Sequence, residues 1–358
     1  MTRLNSVATA FAAAALLASS FVSADHHGGA HTSSITKIDS NEFGIDSKEI
    51  ADINAQMQAA VDGGFIAGNI LLVGNSEGVG VLETAGTQGP GQSTPMDEQT
   101  LFRIYSMTKP IVSVATMTLV EDGLLAISDP VSKYIPEFAN MTVINEETGA
   151  ITPAANEMTV QDLLTHESGL IYGIFDPESE LGKMYFQAGS LRSDITALTL
   201  AQNLAALPLR FEPGTKWNYS RSTDVLGAVI EVAAGKPLDA LLNERIFAPL
   251  GMDETTFFVD VSKAARIAHP IHGEMADPTV VTPMLSGGGG LHSTTEDYVR
   301  FASMLLGGGE YNGTRILEAD TLTAMQQKFI GDSVDRSAYF FGSRGDWELG
   351  FHLQQSSV

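Results

Sequence analysis

The tightest constraint on the fold is a run that begins at Leu101 and is stopped by Gly123. Met107, Ile111, Val114, Ala115, Thr118 and Leu119 recur at helical spacing, so the run reads as a helix buried on most of its surface. Pro110 falls in its first turn, where the missing N–H is no loss, and Gly123 ends it. Ser106 then lies at the helix N-terminus, and Lys109, three residues on, shares its face.

That placement has chemical content. A serine hydroxyl is a poor nucleophile at neutral pH and needs a neighbouring base, a role a neutral amine can fill. Burial and nearby positive potential lower a lysine pKa. A helix N-terminus supplies such potential, together with N–H groups for a developing oxyanion. The spacing alone is weakly specific: Ser34-Ile35-Thr36-Lys37 repeats it in a polar stretch with no helix behind it, and reads as a decoy. A second segment is needed. Phe211-Glu212-Pro213-Gly214-Thr215-Lys216-Trp217-Asn218-Tyr219-Ser220 is a turn-rich approach to a helix starting near Ser222. A phenol at Tyr219, near a lysine and pushed towards phenolate, can take the serine proton and return it to a leaving group. The alternative is a buried tyrosine bonded to a backbone carbonyl.

The rest of the chain supplies a scaffold. Ser47 can cap a helix ending at Gly63-Gly64, and runs 68–73 and 79–84 read as a hairpin turning at 75–78. Thr159 and Asp162 form a capping-box start for 160–165, and helical patterns recur at 198–207, 223–234, 238–247, 294–306 and 318–328. Residues 347–353 read as a strand. Sheet elements from both ends are expected to form one α/β layer, with a pocket at its seam with the helical part.

A net charge of −23 argues against nucleic acid and anionic membranes as partners. The absence of cysteine removes disulfides, cysteine nucleophiles and cysteine-ligated metals. Arg3, the apolar stretch 7–17 and the small residues Val22-Ser23-Ala24 read as a secretory signal peptide over 1–24, with a mature start near Asp25 and export to periplasm or medium. No other segment is apolar enough to insert in a bilayer. His26, His27 and His31 sit in a Gly/Ser/Thr-rich stretch and read as incidental residues of a flexible leader, 25–44; no metal or cofactor is expected.

Together these residues resemble the serine β-lactamase and penicillin-binding-protein superfamily, and most of all class C β-lactamases and the family VIII, β-lactamase-like carboxylesterases. Ser106-Met107-Thr108-Lys109 matches the first motif and Tyr219-Ser220, continued by Asp224-Val225-Leu226-Gly227, the tyrosine motif. Leu163-Leu164-Thr165-His166-Glu167-Ser168-Gly169-Leu170 and residues 286–291 resemble further signatures. The resemblance implies an α+β fold, with an antiparallel sheet flanked by helices, a mainly helical subdomain and the active site at the seam. The domain is expected over 45–358, with its α/β part near 45–99 and 285–358 and its helical part near 100–284. Ser106, Lys109 and Tyr219 are the implied catalytic residues of an acyl-enzyme mechanism, and the Ser106 N–H half of the oxyanion hole. Tyr105, Tyr172 and Arg221 are candidates for contact with a small ester or lactam. Phe175 and Trp217 can line the site or simply pack. His166 is expected to anchor a loop, and the glycine run 287–290 to let backbone pack closely.

Two departures bear on function. Arg221 stands where class C β-lactamases carry an asparagine that contacts the substrate amide, which favours an esterase of short-chain esters over a β-lactamase or D-alanyl-D-alanine carboxypeptidase. The third motif, Lys-Thr-Gly, His-x-Gly or Trp-Gly-Gly, is expected on a strand after Leu353 and does not occur there. The resemblance therefore implies a C-terminally truncated member short of one oxyanion donor, worth about 3–4 kcal/mol of barrier, with an exposed sheet edge. The rival of another class is an inactive fragment or a ligand-binding pseudoenzyme.

Overall fold

The computed structural model describes residues 36–339 and 345–354. The expected signal peptide, His26, His27, His31 and Ser34 lie outside them. Residues 36–44, expected in the leader, are built into the fold: Val79 bridges to Lys37, and a 3-10 turn at Ser40–Phe43 lays the Phe43 ring over Gly80.

Helix α1, Ser47–Asp62, is capped by Asp46 rather than Ser47. The Asp46 carboxylate accepts from the N–H groups of Lys48 and Glu49, and Glu49 reaches back to the Asp46 N–H. A carboxylate satisfies two orphan donors and complements the helix dipole, which a serine hydroxyl does less well. Strands β1, Gly68–Gly74, and β2, Val79–Gly86, form the expected hairpin. Asn75 Oδ1 closes its turn by accepting from Glu77 and Gly78.

Strand β3, Phe102–Arg103, leads through a 3-10 turn, Tyr105–Met107, into α2, Thr108–Glu121. Two short strands follow, β4 (Thr142–Ile144) and β5 (Ile151–Pro153), then α3, Val160–Thr165, with the Thr159/Asp162 capping box in place. Helices α4 (Glu180–Gln187), α5 (Ala197–Ala205), α6 (Ser222–Ala234) and α7 (Leu238–Leu242) complete the helical part. α4 has no counterpart in the sequence reading. The single helix expected at 238–247 passes into a π-helical turn, Asn243–Phe247. Strand β6, His292–Ser293, pairs antiparallel with β3, and helix α8, Thr295–Leu306, follows with Thr294 as its cap.

The core sits where α2 packs against α6, with α3, α5 and α7 around them. Ile111, Val112, Val114, Ala115 and Leu119 are fully covered, as are Leu226, Ala228, Val229 and Ile230. Each large aliphatic side chain so buried contributes about 2 kcal/mol.

The architecture is α+β with small antiparallel ladders. The single α/β layer expected from both ends is not formed among the described residues: β1–β2 is a sheet of its own. The strand expected at 347–353 is a tight hairpin, β7 (Gly345–Trp347) with β8 (His352–Gln354), because Gly350 takes φ +89° and the Glu348 N–H donates to the Phe351 carbonyl. That hairpin docks on the helical part instead: Trp347 Nε1 donates to the Leu164 carbonyl, and its ring joins Trp217, Ile330 and Val334. Among the described residues β1 has no ladder partner besides β2. Ile70 and Leu72 line an open groove of about 650 Å³ with Phe102, Tyr298 and Ala302.

Candidate active site

The site is assembled where β3 and β6 meet. Their pairing sets Phe102 opposite Ser293 and Arg103 opposite His292, and Ile104 N–H donates to the Leu291 carbonyl. This lashes the approach to α2 against the end of the glycine run. Tyr105 then turns into the left-handed region at φ +44°, a conformation that costs a non-glycine residue roughly 1–3 kcal/mol and persists where surrounding contacts over-determine it. The turn leaves Ser106 exposed at the tip of α2, while Lys109, one turn deeper, has no exposed surface.

Three residues distant in sequence converge on Ser106 and Lys109. Tyr219 OH donates to Ser106 Oγ across 2.8 Å, and Lys109 Nζ lies 3.3 Å from the same oxygen. Lys109 Nζ also donates to the Gly288 carbonyl at 2.6 Å and bonds Tyr172 OH at 3.0 Å. Tyr219 is held by a strapped loop: Trp217 N–H donates to the Asp335 carbonyl, Asn218 N–H to that of His166 and Gly214 N–H to that of Glu167.

His166 is the strap's buckle. It is fully buried at φ +62°, where it ends α3. Its Nδ1 accepts from the Ser220 N–H at 3.3 Å, and its ring lies 4.6 Å from that of Tyr219. Burial, then the charge of Lys109, holds its pKa well below the usual value, so it is a neutral anchor, as the sequence reading expected.

Burial lowers the Lys109 pKa from 10.5 to about 8, with Asp224 pulling it up and Arg221 pushing it down. Roughly a tenth of the amine is then unprotonated at neutral pH. For Tyr219 the electrostatics run against the expectation of a phenolate. Burial raises its pKa, and the bond to Ser106 only partly offsets that. The reason is the low-dielectric wall of His166, Trp217 and Trp347 rings around the phenol. The amine is therefore the group closest to its basic form, and the neutral phenol can relay a proton.

Of the expected substrate contacts, Tyr105 is half exposed and lines the clefts on both sides of the turn. Tyr172 is turned inward to Lys109. Arg221 lines neither cleft: its Nη1 bonds Asp224 Oδ2 at 3.1 Å, its Nη2 donates to the Ser190 carbonyl, and its guanidinium lies 4.9 Å from the Tyr172 ring. Phe175 stands exposed, edge-on to Tyr172, and Trp217 is wholly buried and packs. Sequence reasoning singled out 224–227 and 286–291 as family signatures but gave no chemical role to the Asp224 carboxylate, Ser286 or the Gly288 carbonyl.

One cleft, of about 480 Å³, is lined by Phe257, Phe258, Met275, Pro278 and Met284 together with Tyr105, Ser286 and Gly289. Among the described residues no cluster of His, Asp or Glu is placed to hold a metal ion, and no helix is long and apolar enough to cross a membrane.

Comparison with known proteins adds context to this geometry. A family model described as Beta-lactamase matches residues 53–358. An uncharacterised protein of Mycobacterium tuberculosis is 33% identical over 317 residues, covering 85% of this chain and 78% of its own. Esterase EstB of Burkholderia gladioli is 33% identical over 246 residues, covering 67% of this chain and 59% of its own. Among solved structures, EstCE1, described as a hydrolase with promiscuous acyltransferase activity, superposes with a TM-score of 0.69 at 25% identity, covering 87% of this chain and 83% of its own.

Proposed function

Because this chain belongs to the Beta-lactamase family, whose members and structural neighbours are serine hydrolases, we propose that it is an exported carboxylesterase of short-chain esters working through an acyl-enzyme on Ser106. The observation that carries the reading is that one hydroxyl oxygen lies within 2.8 Å of a phenol and 3.3 Å of a buried amine.

In this reading, unprotonated Lys109 takes the Ser106 proton, directly or across Tyr219, as Oγ bonds the ester carbonyl carbon. The developing oxyanion meets the Ser106 N–H at the helix tip. Collapse breaks the carbon–oxygen bond to the alcohol, which leaves with the relayed proton. Water then repeats the sequence: its oxygen bonds the acyl carbon, the Oγ–carbon bond breaks, and Ser106 recovers its proton. The net change is ester plus water to acid plus alcohol.

Two features favour an ester over a lactam. The guanidinium of Arg221 is engaged by Asp224 and the Ser190 carbonyl, and the cleft lined by Gly289 offers an apolar wall to an acyl or alcohol group. The test is turnover of p-nitrophenyl butyrate, nitrocefin and a D-Ala-D-Ala peptide. Hydrolysis of the butyrate ester, lost in Ser106→Ala, is expected. Turnover of nitrocefin alone would make the protein a β-lactamase, and an unchanged Ser106→Ala rate would remove Ser106 from the role of nucleophile. Export is part of the proposal, and N-terminal sequencing of the mature protein should read from near Asp25.

A further inference from the structure

Lys109 is surrounded by an unusual charge balance. Tyr172, Tyr219 and His166 face it from the helical part, and Asp224 and Arg221 from the start of α6. The set contains one buried carboxylate and two cations. A guanidinium is a far weaker acid than an ammonium, so if one cation has to lose a proton it is Lys109.

The hydrogen bonds say how the carboxylate is divided. Oδ2 of Asp224 takes Arg221 Nη1. Oδ1 takes the Ser286 hydroxyl and, at 3.1 Å, the Gly288 N–H. None of these bonds goes to Lys109. The lysine amine instead donates to the carbonyl of that same Gly288, at 2.6 Å. A carbonyl can only accept, so one amine hydrogen is committed there, while Ser106 Oγ and Tyr172 OH can each either donate or accept. Closeness is built in: a Cβ on Gly288 would stand 2.6 Å from Asp224 Oδ2, and one on Gly287 2.5 Å from the Thr223 carbonyl.

We propose that Asp224 and Arg221 are positioning residues for the reaction: Asp224 fixes the Lys109 amine through the Gly288 peptide, and Arg221, by neutralising Asp224, leaves that amine free to work unprotonated. The pair acts on the base without touching substrate. This inference rests on the reading of Lys109 as the base. Electrostatics point the same way, since burial opposes the Asp224 carboxylate but Arg221, Ser286, Lys109 and Gly288 together hold its pKa below the usual value. Without Arg221, the remaining counter-charge for Asp224 is the Lys109 ammonium.

The experiment measures the rate of Ser106 labelling by a fluorophosphonate against pH, on the full chain. The wild-type rate should rise through about pH 8. In Arg221→Gln the rise should move up by at least one pH unit, so labelling near neutrality falls about tenfold and recovers at alkaline pH. Arg221→Lys, which keeps a cation, should restore the wild-type position. Asp224→Asn should move the rise in the opposite direction while lowering the plateau, because an amide offers one acceptor oxygen where the carboxylate offers two, so Arg221 and the Gly288 peptide can no longer both be held. The double variant Arg221→Gln/Asp224→Asn removes both charges and should bring the rise back towards wild type, which keeps the test valid if either single variant folds poorly. A rise in Arg221→Gln that superimposes on wild type overturns the proposal, as does a displaced rise in the double variant. Absence of labelling in the wild type overturns the hydrolase reading and this proposal with it, whereas wild-type labelling with an unmoved rise overturns this proposal alone.

Discussion

Replacing Lys109 by methionine should cut activity sharply and flatten the alkaline part of the stability profile. In the folded protein the amine titrates near 8 instead of 10.5, because it is buried. That difference corresponds to about 3 kcal/mol. The unfolded chain binds more protons than the folded one between these two values, so stability rises with pH across that window. The charge-burial penalty is fully present below about 8 and gone above 10.5. Between pH 7 and pH 9.5 the wild type should therefore gain about 2 kcal/mol relative to the variant. Methionine removes the penalty but strands the Gly288 carbonyl and the Tyr172 hydroxyl, each at about 1–3 kcal/mol. The two changes nearly cancel at neutral pH, so the slope, not the level, is diagnostic. Urea unfolding of both proteins at the two pH values measures it, and the difference removes every other titrating group. Parallel profiles would refute the argument, because they would mean that the folded-state amine keeps its ordinary pKa. Ester turnover in the variant should fall by about 10²–10⁴.

Tyr219→Phe keeps the ring against His166 but removes the proton donated to Ser106; kcat should fall by about 10²–10⁴ with an unchanged melting temperature. His166→Ala empties a fully buried space, strands the Ser220 N–H and leaves an alanine at φ +62°, so it should cost about 2–4 kcal/mol in urea unfolding. Gly287→Ala should cost about 1–3 kcal/mol and lower turnover too, since its Cβ would meet the Thr223 backbone at 2.5 Å and force the glycine run away from α6.

What the sequence determined by itself was local or patterned. α2 is where its periodicity and Gly123 place it, the Thr159/Asp162 box starts α3, the hairpin turns at Asn75, and Ser106 stands one turn from Lys109. Each is settled by contacts within a few residues, which is the range over which propensity, capping and turn chemistry act. The motif order also carried Tyr219 into the site, because a family resemblance encodes contacts that spacing does not.

Tertiary structure decided the rest. Arg221 reads as a substrate contact until Asp224, Ser190 and the Tyr172 ring are seen to occupy its guanidinium. The Tyr219 phenol reads as a candidate phenolate until the rings that bury it are known. The hairpin after Gly345 reads as one strand of a shared layer until Trp347 is seen docked on Leu164. In each case the deciding term is desolvation or a bond between residues far apart along the chain. Neither is a property of a segment: both depend on what the completed fold brings near and what it shuts away from water.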